Sequence, residues 1–432
     1  MAVGRVTSPA SGRVILSLNS GSSSLKFGLY RVEATQTTPV LSGAAEWIDG
    51  GGGTLHARDA QGQRLSSDVA VTDVNDAIAG IASLIGQAGW PRPDAIGHRV
   101  VHGGPDLLQH CVIDDDVLAK LNAASAFAPL HAASALAAIG LAQANFPDLP
   151  HIACLDTVFH ADMPDVAHTL PIPKTFRADG IRRYGFHGLS CESILHQFTD
   201  PVPSRLIVCH LGNGASVTAV KAGRSIDTSM GLTPSGGVIM GTRSGDLDPG
   251  VLIYLIREKR YDAKMLEELI DHRSGLLGIS GISGDMRRLH QTSPTNPDAR
   301  LAIEMFCYAV RKQIAAMMAA LDGVDTIVLT GGIGENDADV RAAICEGLSW
   351  AGVRFDEAHN QAGNDIISAA TSSIVVRVMP SQEDEQIARH ASRLAFEGRD
   401  RVSPRPKHRA SPRKGCDPAD QSAPRSRVRD TS

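Results

Sequence analysis

Most of the patterns that would announce an activity outright are missing from this chain. It has no GxxxxGK[ST] loop, no HRD/DFG pair, no GxSxG elbow and no HExxH helix. Those absences exclude the P-loop kinase, protein kinase, α/β-hydrolase and zincin patterns. No run of about 18 apolar residues occurs, so no membrane span is expected. The opening MAVGRVTSPASGR, residues 1–13, lacks the apolar stretch of a signal peptide and reads as a disordered leader. Aromatic residues are few, at 4%, and a formal net charge of -5 gives no reason to expect nucleic acid as a partner. The seven cysteines, Cys111, Cys154, Cys191, Cys209, Cys307, Cys345 and Cys416, are scattered without a CxxC pair. An odd, dispersed set fits reduced thiols in the cytosol, with several acting as small core residues.

What is present reads as α/β, and 432 residues suffice for two substantial domains. Val14 to Leu29, VILSLNSGSSSLKFGL, is an apolar strand, a polar turn and a second apolar stretch carrying Lys26. Its small residues, hydroxyls, backbone N–H groups and one cation suit an anion such as phosphate, although a plain Ser/Gly surface turn would look alike. The pattern recurs at Arg205 to Val220, RLIVCHLGNGASVTAV, and again where Thr326–Leu329 runs into Thr330–Asn336. Two such hairpins in separate halves, then a Gly-rich strand end, suggest a duplicated fold with nucleotide between the halves.

Helical spacing marks residues 73–88 and Leu301 to Leu321, the latter with Ile303, Phe306, Val310, Ile314, Met317 and Leu321 on one core face. Ala95–His102, His151–Leu155 and Ser373–Met379 read as strands, Gly50–Gly53 as a turn, and Glu383–Phe396 as a last helix returning to the first domain. The expected organisation is a first domain of 14–157 plus 384–396, a second of 158–383, and a disordered basic tail at 397–432. Polar residues cluster at strand ends and in Gly-rich turns: Arg99, His131, Asp156, His160, His187, His210, Asn213, Arg243, Asp246, Asp248, Asp285, Arg287, Asn336 and Glu383. Arg99 and Arg243 could clamp a carboxylate and a phosphoryl group by forked hydrogen bonds. Asp156 and Glu383 are oxygen donors suited to Mg²⁺.

LNSGSSSLK (Leu18–Lys26), GHRVVHGG (Gly97–Gly104), APLH (Ala128–His131), DTVFH (Asp156–His160), RRYGFHG (Arg182–Gly188), HLGNGAS (His210–Ser216), DTSMGLTPSGGVIMGTRSGDLDPG (Asp227–Gly250) and GGIGEN (Gly331–Asn336) together resemble the acetate kinase family. The resemblance runs in order from about Val14 to Phe396. It implies two duplicated actin-like, ribonuclease H-like domains with a nucleotide cleft between them, and a cytoplasmic homodimer. It also implies reversible transfer of a phosphoryl group between ATP and acetate, giving acetyl phosphate and ADP on a route to acetyl-CoA. Mg²⁺, with Mn²⁺ as the alternative, is the implied metal.

By the same resemblance Asn19, Ser22, Ser24 and Lys26 lie near the phosphates and the metal. Arg99 and Arg243 hold acetate and the transferring group, Asp156 is the essential aspartate, and His187 and Asn213 touch phosphoryl oxygens. His210, Gly212, Gly214, Asp285, Arg287, Gly332, Gly334 and Asn336 fall on the nucleotide side. Asn19, Asp156 and Glu383 attend the metal. Val101, Leu130, Phe186 and Pro234 line a small pocket for the methyl group. One departure is visible: Pro380-Ser381-Gln382-Glu383-Asp384 stands where the family commonly has Pro-Thr-Asn-Glu-Glu. A propionate or other short-chain carboxylate kinase, and more remotely an actin- or Hsp70-like ATP-dependent binding protein, are the alternatives that the fold alone would not separate.

Overall fold

A computed structural model describes residues 12–21, 24–47, 52–87, 89–199 and 201–396, with all side chains there except those of residues 66–69 and 129–131. The basic tail, Ser22, most of the leader and part of the Gly50–Gly53 turn lie outside the described residues.

The first sheet contains β1 (Arg13–Ser20), β2 (Ser24–Val32), β3 (Thr37–Glu46), β4 (Gly53–Asp59), β5 (Arg64–Val71), β6 (Ala95–Val100), β7 (Cys111–Val112) and β8 (His151–Leu155). Its order is β5-β4-β3-β2-β1-β6-β8-β7. The second contains β9 (Arg205–Leu211), β10 (Ala215–Lys221), β11 (Arg224–Thr228), β12 (Thr326–Thr330) and β13 (Val375–Val378), in the order β11-β10-β9-β12-β13. Each sheet repeats one plan. A central strand (β1 or β9) pairs antiparallel with its hairpin partner on one side and parallel with the next strand on the other. A further parallel strand follows in each, β8 beside β6 and β13 beside β12. This is the duplication that the recurring strand-turn pattern predicts.

The central strands read as apolar runs because they are covered on both faces. Beneath the first sheet, the helices Val74–Gly86 and Pro129–Asn145 pack against Leu16, Leu18 and Ile96. Above it lies the helix Glu383–Phe396, whose Ile387, Ala388 and Ala391 meet Ile15, Ala95, Ile152 and Cys154. Gly97 permits that approach, since a Cβ there would meet Ile387 Cγ2 at 2.5 Å and Ala391 Cβ at 3.1 Å. The helix begins with Glu383, Asp384 and Glu385, where acidic side chains favour the positive end of the helix dipole. Packing this helix on the first sheet brings that acidic turn to the ends of the central strands.

The second core is built around the helix Pro297–Ala320, which buries Phe306, Val310, Ile314 and Met317. The helix starts before Leu301 because Asn296 caps it, accepting from the N–H groups of Asp298 and Ala299, with Pro297 in its first turn. Other expected boundaries differ, the Ser373–Met379 strand shortening to Val375–Val378 among them. The strand expected over Ala95–His102 ends at Val100, and the chain then folds back as Gly104 N–H donates to His102 Nδ1 at 2.8 Å. The Gly331–Asn336 stretch is a short helix rather than an open turn.

Candidate active site

The parallel strands of both sheets end at one cleft, the position where α/β sheets generally place their ligands. Asn19 and Ser20 close β1, Arg99 lies one residue before the end of β6, and Asp156 follows β8. From the second sheet, Gly212 follows β9, Gly331 follows β12, and Ser381–Glu383 follow β13. The cleft has a volume of about 810 Å³.

Parallel pairing of β6 with β8 puts Arg99 opposite Cys154, so its side chain reaches the residue just past the next strand's end. Arg99 Nη2 and Nε donate to Asp156 Oδ2 at 2.6 and 2.9 Å, and Nη1 donates to Asn19 Oδ1 at 3.1 Å. Asn19 Nδ2 in turn donates to Asp384 Oδ1 at 3.1 Å and lies 3.5 Å from Glu383 Oε2. Asp156 is fully buried, and among the described residues its Oδ1 has no hydrogen-bond partner of ordinary geometry. Burial pushes the Asp156 carboxyl up, against the pull of Arg99 and with a push from Glu383. Burial would also raise Glu383, but Arg99, His210 and Lys26 together hold it below its usual value. Asp384 is raised by burial.

Across the cleft stand two stacked imidazoles, His187 and His210, with ring centroids 4.2 Å apart. His187 caps the helix Gly188–His196 in a left-handed conformation (φ 57°), one that His tolerates better than most side chains. Gly188 must be glycine because its N–H donates to the Asp156 carbonyl at 2.9 Å and a Cβ would collide with that oxygen. His187 Nδ1 lies 2.9 Å from Ser216 Oγ, and His210 Nδ1 lies 2.8 Å from Ser190 Oγ. Burial pushes the His187 imidazole well below its usual pKa, with His210, Arg99 and Arg243 adding to the effect, so the ring is neutral.

Gly214 sits in the turn between β9 and β10, and a Cβ there would stand 3.2 Å from His187 Nε2 and 3.4 Å from Arg243 Nη1. Arg243 also donates through Nη1 to the Pro234 carbonyl at 3.1 Å. Beside these polar groups, Val101, Phe186 and Pro234 give the cleft an apolar wall.

The structure therefore brings Asn19, Ser24, Lys26, Arg99, Asp156 and Glu383 to one side of the cleft. His187, His210, Gly212, Asn213, Gly214, Arg243 and Gly332 line the rest with the apolar wall. Other expected residues stand elsewhere. Asp285 and Arg287 form an exposed pair at 2.7 Å, outside the cleft wall, with Asp285 capping the helix Met286–Thr292. Gly334 is buried, and Asn336 Nδ2 donates to the Gly332 carbonyl at 2.9 Å; neither lines the cleft. Ser22 and the side chains of Leu130 and His131 lie outside what is described. His160 is structural, bound to Ser225 Oγ and the Phe186 carbonyl, while Asp248 caps the helix Pro249–Lys259.

Residues that the sequence pattern did not single out also line the cleft: Tyr30, Glu335, Ser381, Gln382, Asp384 and Glu385. Glu335 Oε1 accepts from the N–H groups of Gly331 and Ser381, both at 2.9 Å, and so ties together the loops after β12 and β13. Its place inside GGIGEN was the one available signal.

Away from the cleft, His110, Glu192 and His390 are close enough to hold a cation. The Leu155 N–H donates to His110 Nδ1 at 3.0 Å, however, which occupies that lone pair and leaves the ring proton on Nε2, facing Glu192. Metal-bound histidines have the opposite arrangement, with the second nitrogen donating. The cluster is a buried carboxylate hydrogen-bonded to His390 Nε2 at 2.7 Å, with His110 Nε2 3.5 Å away; despite burial, Glu192 is pulled down to about 2 by the two imidazoles.

A duplicated sheet plan with a polar cleft at the strand ends defines an α/β protein of the actin-like ATPase fold. The chain belongs to the acetokinase family, whose pattern matches residues 14–389. It is 41% identical over 404 residues to an acetate kinase of Rhodopseudomonas palustris, covering 89% of this chain and 99% of that protein. With an acetate kinase of Methylocella silvestris it shares 39% over 399 residues, 88% of this chain and 98% of the other. Among solved structures, a propionate kinase from Francisella tularensis superposes with a TM-score of 0.83 at 35% identity, covering 88% of this chain and all of that one. Porphyromonas gingivalis acetate kinase gives 0.77 at 34%, covering 88% and 99%.

Proposed function

We propose that the protein is an acetate kinase, moving the terminal phosphoryl group of ATP onto acetate and running the reaction in both directions. The observation that carries this reading is the meeting of Arg99, Asp156, Arg243 and His187 in one cleft beside the Val101–Phe186–Pro234 wall. A protein that only hydrolysed ATP to drive binding would have no use for a carboxylate clamp next to a small apolar surface.

The chemistry asks mostly for positioning and charge stabilisation. Acetate is already ionised near neutral pH, so no strong base is required to create the nucleophile. Arg99 uses three of its five N–H groups on Asp156 and Asn19, which leaves donors for an anionic ligand. Arg243, His187 and Asn213 donate to phosphoryl oxygens as charge redistributes. Closure of the cleft excludes water that would otherwise take the phosphoryl group.

Asn19, Asp156, Glu383 and Asp384 form an oxygen-rich corner that suits Mg²⁺, with Mn²⁺ as the alternative. The buried Oδ1 of Asp156, without a hydrogen-bond partner among the described residues, supports this assignment, because an orphaned carboxylate oxygen is costly unless a cation meets it. The ion would supply charge neutralisation at the phosphates.

The proposed domain division groups 14–157 with 384–396 around the first sheet and 158–383 around the second. A cytoplasmic homodimer is part of the proposal. Among the described residues no helix is long and apolar enough to cross a membrane. Support for the dimer comes from the helix Pro249–Lys259, which has no buried residue although Val251, Ile253, Tyr254 and Ile256 lie along it. A helix so apolar around its circumference is normally covered.

The deciding assay supplies ATP, Mg²⁺ and acetate and traps acyl phosphate with hydroxylamine. Absence of acetate-dependent product from folded protein would sink the kinase reading. Propionate is the second acceptor to test, since the solved propionate kinase superposes well.

A further inference from the structure

We propose that Ser216 is a positioning residue that fixes the proton of the His187 ring on Nε2, making that nitrogen a donor to the phosphoryl group; its catalytic part rests on the acetate kinase reading. Ser216 lies on β10 directly opposite His210 and is 1% exposed. Among the described residues, its hydroxyl has one hydrogen-bond partner, His187 Nδ1 at 2.9 Å.

Two arrangements of that bond are conceivable. Were the ring to carry its proton on Nδ1 and donate to Oγ, the hydroxyl proton would be buried without an acceptor. Were the hydroxyl to donate to Nδ1, both groups would be satisfied and the ring proton would move to Nε2. Buried polar groups left unmatched are expensive, so the second arrangement prevails.

The choice matters because of where Nε2 points. A Cβ on Gly214 would stand 3.2 Å from His187 Nε2 and 3.4 Å from Arg243 Nη1, so both nitrogens converge on the glycine turn after β9. An Nε2–H there adds a second donor beside the guanidinium. A lone pair there would repel a phosphoryl oxygen. The ring cannot escape by taking a second proton, since its burial and the neighbouring His210, Arg99 and Arg243 keep it neutral. Its stacking on His210 and its left-handed backbone hold it in place, leaving the hydroxyl to decide the tautomer.

The test reads the tautomer directly by ¹⁵N–¹H correlation of the imidazoles in the full-length protein, with His187 assigned by its loss in His187→Gln. In the wild type Nε2 should be protonated and Nδ1 bare. In Ser216→Ala the His187 signals should move toward the Nδ1-protonated form, and kcat should fall about tenfold with KM for ATP and acetate within roughly twofold. Ser216→Thr, which keeps the hydroxyl, should restore both readings. If Ser216→Ala does not fold, Ser216→Cys takes its place, with a weaker donor and an intermediate effect. A proton on Nδ1 in the wild type, or an unchanged tautomer in the folded variant, overturns the proposal. An unchanged kcat overturns its catalytic part. A wild type with the proton on Nε2 that makes no acyl phosphate refutes the kinase reading and the catalytic part with it, while the tautomer assignment stands.

Discussion

Arg99 grips a single oxygen of Asp156 from two nitrogens, at 2.6 and 2.9 Å, and the other oxygen of that buried carboxylate has no hydrogen-bond partner among the described residues. Geometry alone would have allowed a two-oxygen fork, which is the usual preference of this pair. Turned this way, the carboxylate keeps one oxygen for another ligand while the guanidinium restrains its orientation. The arrangement separates two roles that could otherwise be assigned to one residue.

Asp156→Asn should therefore abolish transfer while ADP still binds. The amide keeps the shape and can still accept from Arg99, but it lacks the charge that a hard cation demands. Calorimetric ADP titration beside the hydroxylamine assay checks both halves. Turnover near the wild-type rate would contradict the assigned role.

Arg99→Ala and Arg243→Ala should each reduce kcat/KM far more than a surface Arg→Ala control, by about 2–4 kcal/mol of transition-state stabilisation. Only Arg99→Ala should also destabilise the fold by about 3–5 kcal/mol, because it leaves the fully buried Asp156 unpaired. Protonation of Asp156, already favoured by burial, would relieve part of that loss. A loss below about threefold at either arginine would remove it from the clamp.

A pH-dependent contribution to stability should come from His290 and Asp337, which meet at 2.9 Å. The bond to Asp337 raises the His290 pKa above its usual value, against partial burial. Burial would raise Asp337, but the bond to His290, the Val340 N–H and the charges of His290 and Arg341 together hold the carboxyl down, so it is ionised throughout the range concerned. A raised histidine stabilises fully below its unfolded pKa of about 6.5 and loses that contribution as pH climbs through the folded value. His290→Gln should then cost about 1 kcal/mol at pH 6 and markedly less at pH 9. Urea melts at both pH values decide; an equal cost at each would rule out the charged pair.

The local features of the site could be read from the chain because they depend on neighbours in sequence. A strand running into a Gly/Ser/Asn turn announced β1, β9 and β12, and helical spacing over 73–88 and Leu301–Leu321 announced the helices Val74–Gly86 and Pro297–Ala320. Partnerships set by strand register could not be read that way. Arg99 meets Asp156 only because β6 pairs with β8, and Glu335 meets Ser381 only because β12 pairs with β13. Ser190, on the helix Gly188–His196, and Ser216, on β10, take on a role only through the two imidazoles that the fold lays beside them. Asp285 and Arg287, which the family resemblance puts on the nucleotide side, are engaged here with each other, Asp285 capping the helix Met286–Thr292 and pairing with Arg287 at the surface.

The exposed apolar helix Pro249–Lys259 offers a test of assembly. Ile253 and Tyr254 are 53% and 52% exposed. If a second copy covers them, Ile253→Asp with Tyr254→Asp should convert a dimer to a monomer in sedimentation experiments, because a buried charge without a partner is strongly disfavoured. The same substitutions should leave the monomer folded, since neither side chain belongs to its core. A wild type that sediments as a monomer, or a double variant that stays dimeric, would place the interface elsewhere or remove it.

Substrate size should be governed by Val101. It lies past the end of β6, beside Arg99 in the cleft wall and close to Phe186 and Pro234. On its other side is a void of about 10 Å³ lined mostly by apolar residues, Leu121, Ala128, Ala135, Leu136 and Ile139 among them, with His102 also on its wall. Val101 thus stands as the partition between the cleft and a space that is too small for a substrate group by itself. Replacing it with alanine removes two methyl groups from the partition and merges the spaces. One methylene in an apolar pocket is worth about 1–3 kcal/mol of discrimination, so the propionate-to-acetate ratio of kcat/KM should rise roughly tenfold in Val101→Ala. Acetate should lose some rate in the same variant, because its methyl group no longer meets a wall. The stability cost should stay within about 1–3 kcal/mol, as for other truncations of partly enclosed apolar side chains. Wild type should prefer acetate while retaining measurable propionate activity. Parallel kinetics with both acids on both proteins decide the matter: a wild type that already prefers propionate, or an unchanged ratio in the variant, would show that Val101 is not the residue that measures the acyl chain.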